Sequence, residues 1–68
     1  MNRYYVNDKA QENGDHEVHK ESCDYLSLVK SKKDLGYHPN CHSAVREAKK
    51  TYSTADGCYH CSRECHTG

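Results

Sequence analysis

The stretch Cys58-Tyr59-His60-Cys61 decides how this chain can fold, and the stretch His19-Lys20-Glu21-Ser22-Cys23 completes it. Two thiols separated by two residues on a tight turn can face one tetrahedral cation, and a His and a Cys four residues apart can do the same from a bend. The sequence therefore predicts a structural zinc (Zn²⁺) site whose ligands are His19, Cys23, Cys58 and Cys61. Four protein ligands leave no position for water, so we expect this site to be structural and not catalytic.

The composition explains why such a chain needs a metal ion or a covalent link. Only 34% of the 68 residues are hydrophobic, Phe and Trp are absent, and the mean hydropathy is -1.19. Ordering a chain costs roughly 1.5 kcal/mol per residue, and the apolar area of so polar a chain barely offsets that cost. A structural zinc contributes about 10 to 16 kcal/mol of apparent binding free energy, whereas a disulfide contributes about 2 to 4 kcal/mol.

The counts of cysteine and histidine favour metal over a disulfide framework. The chain has five Cys and six His. An odd number of cysteines leaves one thiol over if all the others pair, and imidazole suits zinc. A disulfide-stapled secreted domain stays an alternative if Met1 replaces a removed leader, because secreted domains fold in an oxidising compartment.

The charge and the N-terminal sequence limit the expected partners and location. Ten basic and ten acidic residues give a net charge of zero, so no strongly basic surface for nucleic acid is indicated. Residues 1–20 contain no apolar segment of the kind found in signal peptides or membrane spans. We therefore expect one small domain, residues 1–68, in the cytoplasm and away from membranes. Its expected partner is another protein, and nucleic acid is the alternative.

Hydrophobic and turn patterns predict an α+β fold with a small antiparallel sheet of two to three short strands. We expect residues 2–6 to form an edge strand, which the turn residues Asn13-Gly14-Asp15 join to a second strand over 16–19. Residues 35–38 are expected to form a third strand that ends at a proline. In the second strand, Val18 is expected to pack inward while His19, on the other face, points toward the metal.

One main helix is predicted over 41–52, with Asn40 as its N-cap. Its apolar stripe consists of Cys41, Ala44, Val45, Ala48 and Tyr52. We expect Cys41 to be a small buried apolar residue, not a ligand or a disulfide partner. A bend or helical turn is expected over 22–28, a solvated loop over 29–34 and a turn over 53–57. A short C-terminal helix is expected over 62–66, with Cys65 on the same side as Cys61.

Three other arrangements of the cysteines and histidines stay open. Cys65 or His66 can replace His19 as the fourth ligand, and Cys41 can form a disulfide with Cys65. A second metal site can also be built from Cys41, His42, Cys65 and His66. We expect His16, His38 and His60 to be at the surface or hydrogen-bonded. The same is expected of His42 if there is no second site.

A recurring order of short patterns points to a known family. The residues are Tyr5-Val6, the His19 to Cys23 stretch with Tyr25-Leu26, Tyr37, the helix over 41–50, and Gly57 with Cys58 to Cys61. This order resembles the N-terminal zinc-binding module of the Ada DNA-repair protein and related small bacterial domains. The resemblance implies a zinc-stapled fold and a nucleic-acid-associated role, in which a zinc-bound cysteine accepts a methyl group from a DNA phosphotriester. His19 stands where that family has the accepting cysteine, so the role would fall to Cys23 or Cys58, and we expect a module that binds without catalysis.

Overall fold

The structure is a computed structural model that describes residues 1–67. In chain order its elements are β1 (Asn2–Asn7), β2 (His16–Lys20), a 3-10 helix η1 (Asp24–Leu28), β3 (Lys32–His38), α1 (Cys41–Ala48), β4 (Ala55–Gly57) and a 3-10 helix η2 (Arg63–Cys65). Within residues 1–67, no helix is long and apolar enough to cross a lipid bilayer.

The strands form one mixed sheet in the order β3-β1-β2-β4. β1 pairs antiparallel with both β2 and β3, whereas β4 runs parallel to β2. The α+β class and the hairpin of the first two strands are as predicted. The sheet, however, has four strands in place of the expected two to three, and it is not wholly antiparallel. The prediction that the first strand lies at an edge is wrong, because β1 lies inside the sheet.

Strand β3 covers β1 because it begins at Lys32, not at Leu35 as predicted. The charged residues of 29–34 indicate a solvated loop from sequence, but an edge strand tolerates such side chains, and they discourage pairing with other chains. The register with β1 shifts beside Leu35, and the next residue, Gly36, has a φ of 81°. Glycine adopts this conformation without strain, so the strand can bulge and still bury Leu35.

The ends of α1 show where local signals succeed and where they fall short. The N-cap is as predicted, since the Asn40 side-chain oxygen accepts a hydrogen bond from the Ser43 N–H at 3.0 Å. The regular helix ends at Ala48, earlier than the predicted residue 52. Single turns continue the coil, because the N–H groups of Thr51 and Tyr52 both donate to the Ala48 carbonyl.

Strand β4 lies where the sequence predicts only a turn. Its three residues, Ala55, Asp56 and Gly57, have low strand propensity, so no local signal indicates a strand. Pairing with β2 holds them, with Ala55 opposite His16 and Gly57 opposite Val18. This pairing delivers the chain to Cys58 beside the metal-ligand candidate of β2.

Two buried clusters lie on opposite faces of the sheet, as the alternation of strand side chains requires. The face covered by α1, which we call the helix face, buries Tyr4, Val6, Val18, Leu35, Cys41, Ala44, Ala48, Ala55 and Cys65. The other, which we call the cysteine face, buries Cys23, Leu26 and Cys58, with Tyr5, Val29 and Cys61 packed against them. Val18 and His19, adjacent in β2, point to different faces, as predicted.

A disulfide between Cys41 and Cys65 links α1 to η2 within the helix face. Cys41 is buried, as predicted, but the prediction that it is not a disulfide partner is wrong, and the alternative Cys41–Cys65 disulfide is the one that forms. The placement of Cys65 on the side of Cys61 is also wrong. The two cysteines are 24 residues apart in sequence. They meet because β4 brings the following segment under the start of α1, and that contact depends on a strand that the sequence does not indicate.

Candidate metal centre

Four side chains converge on the cysteine face: His19, Cys23, Cys58 and Cys61. Their ligand atoms all lie within 4.8 Å of one another, and all but Cys61 are buried. In a tetrahedral site with thiolates about 2.3 Å from zinc, two sulfur atoms lie about 3.8 Å apart, so this spacing suits one cation. These residues can therefore hold a metal ion, and they are the four that the sequence predicts.

Backbone hydrogen bonds place each of these side chains. His19 is near the end of β2, and the chain then turns, with the Cys23 N–H donating to the Lys20 carbonyl at 3.0 Å. From the other side, the Cys58 N–H donates to the Val18 carbonyl at 2.9 Å, which extends the pairing of β4 by one residue. The Ser62 N–H then donates to the Cys58 carbonyl at 2.9 Å and closes the turn that carries Cys61. The site is thus built on the ends of two paired strands.

Two backbone N–H groups point at the sulfur atoms. The Lys20 N–H lies 3.3 Å from Cys61 Sγ, and the His60 N–H lies 3.4 Å from Cys58 Sγ. A donor directed at sulfur stabilises the thiolate more than the thiol, because the charged form accepts the stronger hydrogen bond. These two sulfurs are therefore prepared to carry negative charge, which a metal site requires.

Burial keeps the same groups neutral when no cation is near. Desolvation raises the pKa of the Cys61 thiol to about 12, helped by its hydrogen bond with Cys23, and it raises the pKa of Cys58 as well. Desolvation also lowers the pKa of His19, against the attraction of Glu17. A cation entering the cluster must therefore displace the protons of these two thiols, and its binding weakens as pH falls.

The imidazole of His19 is buried, but only one of its two ring nitrogens has a hydrogen-bond partner among residues 1–67. The side chain is 2% exposed. Nδ1 lies 3.6 Å from Cys23 Sγ, whereas Nε2 has no hydrogen-bond partner among residues 1–67. Leaving a buried polar atom unsatisfied costs about 1 to 3 kcal/mol. The nearest carboxylate oxygen, Glu17 Oε1, is 3.8 Å from Nε2, which a small rotation of the Glu17 side chain would bring into hydrogen-bond range.

Gly57 allows a close approach between β4 and the segment after Cys61, which the sequence does not predict. A Cβ atom built at this residue would lie 2.6 Å from Cys65 Cβ and 2.6 Å from the Ser62 carbonyl oxygen. No side chain fits there, so the glycine lets the chain after Cys61 fold back against β4. A glycine directly before a CxxC pair is the sequence signal that could have indicated this close approach.

Cys65 and His66, the alternatives to His19, do not reach the cysteine face. Cys65 is in the disulfide, and His66 Nδ1–H donates to the Gly57 carbonyl at 3.1 Å. A second group of potential ligand atoms, within 4.8 Å of one another, does occur, but it consists of Cys41, His42 and Cys65 without His66. The two cysteines of this group are joined to each other.

The other histidines have ordinary contacts, as predicted. His16 Nδ1–H donates to the Asn7 carbonyl at 2.9 Å, and its ring stacks on Tyr52 with centroids 3.9 Å apart. His38 bonds through both ring nitrogens, to the Ser43 hydroxyl and the Leu35 carbonyl. The exposed His60 stacks on Tyr25 with centroids 4.0 Å apart.

In comparisons with known proteins, the chain matches no family model, no curated protein and no solved structure. The interpretation of the metal centre therefore depends on its own geometry. The resemblance to the Ada module stays a prediction that these comparisons do not test.

Proposed function

We propose that this protein is a small binding module whose fold is held by one structural zinc ion. The ligands in this proposal are His19, Cys23, Cys58 and Cys61. The observation that carries it is that the ligand atoms of one imidazole and three free thiols lie within 4.8 Å of one another, with all but Cys61 buried and no disulfide among them. Burying this many polar groups without a cation would be unfavourable in a chain with so little apolar surface.

The chemistry of the donors supports zinc over other common ions. Thiolate and imidazole ligands favour zinc, whereas calcium and magnesium prefer oxygen. Three thiolates and a neutral imidazole around Zn²⁺ carry a net charge of about minus one, which the N–H groups of Lys20 and His60 offset in part. The set is closed at four ligands, which supports a structural role and no catalytic one.

Exposed aromatic residues beside the metal turn support a role in binding another protein. Tyr25 and Tyr59 are 43% and 46% exposed, and both rings contact His60. The Arg63 guanidinium lies 4.9 Å from the centre of the Tyr59 ring. Aromatic residues and arginine are enriched at protein interfaces, because they offer large contact areas with polar tips. In our proposal the zinc ion keeps this surface in shape.

The test is the metal content of the purified protein together with a matched pair of histidine variants. Native mass spectrometry of protein purified without chelator, and with the Cys41–Cys65 disulfide intact, is expected to find one zinc ion per chain. His19→Gln should lose that ion, and His60→Gln should keep it, because His60 lies in the same turn region but offers no ligand. A wild-type protein without zinc, or a His19→Gln variant that retains it with unchanged affinity, would contradict the proposal.

A further inference from the structure

The helix face contains a second group of ligand atoms that the proposed function does not use. Cys41 begins α1, His42 follows it, and Cys65 ends η2. The sulfur atoms and the imidazole of this group lie within 4.8 Å of one another. His42 follows Cys41 directly in the chain, and its imidazole adds a nitrogen ligand beside the two sulfur atoms.

A carboxylate and an open pocket complete the surroundings of this group. His42 Nε2 lies 4.0 Å from Glu64 Oε2, and both side chains are mostly exposed. A pocket of about 370 Å³ opens there, and His42, Glu64 and Cys65 are among its lining residues. The pocket therefore gives a hydrated cation or a small reductant a route from solvent toward Cys65, which is itself 7% exposed.

We propose that reduction of the Cys41–Cys65 disulfide turns this group into a second zinc site. Its ligands would be the two thiolates, the His42 imidazole and the Glu64 carboxylate, which together form a tetrahedral set. The Cα atoms of Cys41 and Cys65 are 6.2 Å apart. At this separation, rotation of the side chains can part the sulfurs to the roughly 3.8 Å expected for two thiolates on one zinc ion.

The redox step needs a dithiol reductant of the kind found in cells. One reductant thiolate attacks a sulfur of the disulfide and forms a mixed disulfide, which releases the other cysteine as a thiol. The second reductant thiol then displaces the remaining cysteine, and the reductant leaves as a cyclic disulfide with both electrons accounted for. Zn²⁺ binding afterwards releases the two cysteine protons to solvent. The bound metal in turn protects both thiolates from reoxidation.

Metal stoichiometry with and without reductant tests this proposal in the full chain. A phosphine is the suitable reductant. It reduces the disulfide to two cysteine thiols and takes up an oxygen atom from water to become the phosphine oxide, so no thiol reagent is present to compete for zinc. Native mass spectrometry of zinc-loaded protein is expected to show one more zinc ion per chain after reduction than before. Metal in the oxidised protein reports on the cysteine face, and only the increment reports on the second site, so failure of either proposal is visible separately.

Three variants and one control variant identify the ligands. His42→Ala and Glu64→Gln should each weaken binding of the added zinc at least about tenfold, and His60→Ala, outside the group, should not. The double variant Cys41→Ala/Cys65→Ala should hold the same amount of zinc with and without reductant.

Four outcomes would overturn the proposal. They are an unchanged zinc count on reduction, full affinity for the added zinc in His42→Ala or Glu64→Gln, reductant-dependent zinc uptake by the double cysteine variant, and loss of the folded amide spectrum in reduced, zinc-loaded protein. The last outcome counts because the site needs α1 and η2 to stay together.

Discussion

The two faces of the sheet are closed by different chemistry. The helix face buries an apolar cluster and a disulfide, and its side chains Tyr4, Val6 and Val18 are almost fully buried. The cysteine face buries Leu26 as its only aliphatic side chain below 9% exposure among residues 1–67, together with the His19 imidazole and the thiols of Cys23 and Cys58, while Cys61 is partly buried. Apolar burial can stabilise the first face, whereas the second needs a partner for its polar atoms. Removal of a bound cation should therefore open the cysteine face before the helix face.

Removal of metal should have the largest effect, and it should begin on the cysteine face. Binding of a structural zinc contributes about 10 to 16 kcal/mol of apparent free energy, which exceeds the stability of most small domains. We expect a chelator to abolish the dispersed amide signals of Lys20 and His60, whose N–H groups point at sulfur, and then to unfold the chain. An unaltered spectrum, in protein whose free cysteines are shown to be reduced, would contradict this expectation.

A matched pair of leucines separates the two faces directly. Leu26 lies on the cysteine face and Leu35 on the helix face, and each is 8% exposed. Either change to Ala should lower the free energy of unfolding by about 2 to 5 kcal/mol. Only Leu26→Ala should alter the ligand-field spectrum of the cobalt-substituted protein, because Leu26 packs in the cluster of Cys23 and Cys58. The same spectral change in Leu35→Ala would show that the faces are not independent.

The sequence predicts the features that depend on residues close together in the chain, and it does not predict those that depend on pairing between distant residues. The spacings His19-x-x-x-Cys23 and Cys58-x-x-Cys61 are local, and the structure brings the four residues together as predicted; that they bind zinc stays a prediction. The Asn40 cap is equally local. Strand β4 and the first three residues of β3, 32–34, depend on pairing with distant residues and go against local propensity. The sequence therefore predicts a turn and a loop there, although it does predict the rest of β3. The Cys41–Cys65 disulfide depends on β4, so the sequence offers it only as one alternative among several.

Loss of the disulfide should weaken the helix face and leave the metal centre intact. Closing a loop of this length stabilises a fold by about 3 kcal/mol. The free energy of unfolding of the variant Cys41→Ala/Cys65→Ala should therefore be lower by roughly that amount, as measured by denaturant unfolding. The double substitution avoids leaving either Cys41 or Cys65 as a new unpaired thiol. Its cobalt spectrum should match that of oxidised wild type. A changed spectrum would mean that the disulfide also shapes the cysteine face.

The smallest expected effect concerns the carboxylate behind His19. If Nδ1 of His19 binds the metal, Nε2 carries the hydrogen, and Glu17, whose Oε1 is 3.8 Å away, is placed to accept it. Such outer carboxylates orient the imidazole and raise its basicity, and their loss costs about 10- to 100-fold in metal affinity. Glu17→Gln keeps the shape of the side chain and removes its charge, so a zinc competition assay should show a weakening in this range.

The control for that change is Glu21→Gln. Glu21 accepts a hydrogen bond from the Tyr5 hydroxyl at 3.3 Å, close to the same face, but no hydrogen bond or ion pair joins it to His19 among residues 1–67. Both variants remove one negative charge near a site that would carry about one net negative charge itself. If both weaken zinc binding equally, or if neither does, Glu17 does not orient the imidazole. If only Glu17→Gln weakens zinc binding, the Glu17 carboxylate is the hydrogen-bond partner of His19 Nε2. The metal centre then includes a carboxylate that orients a ligand, in addition to the four ligands themselves.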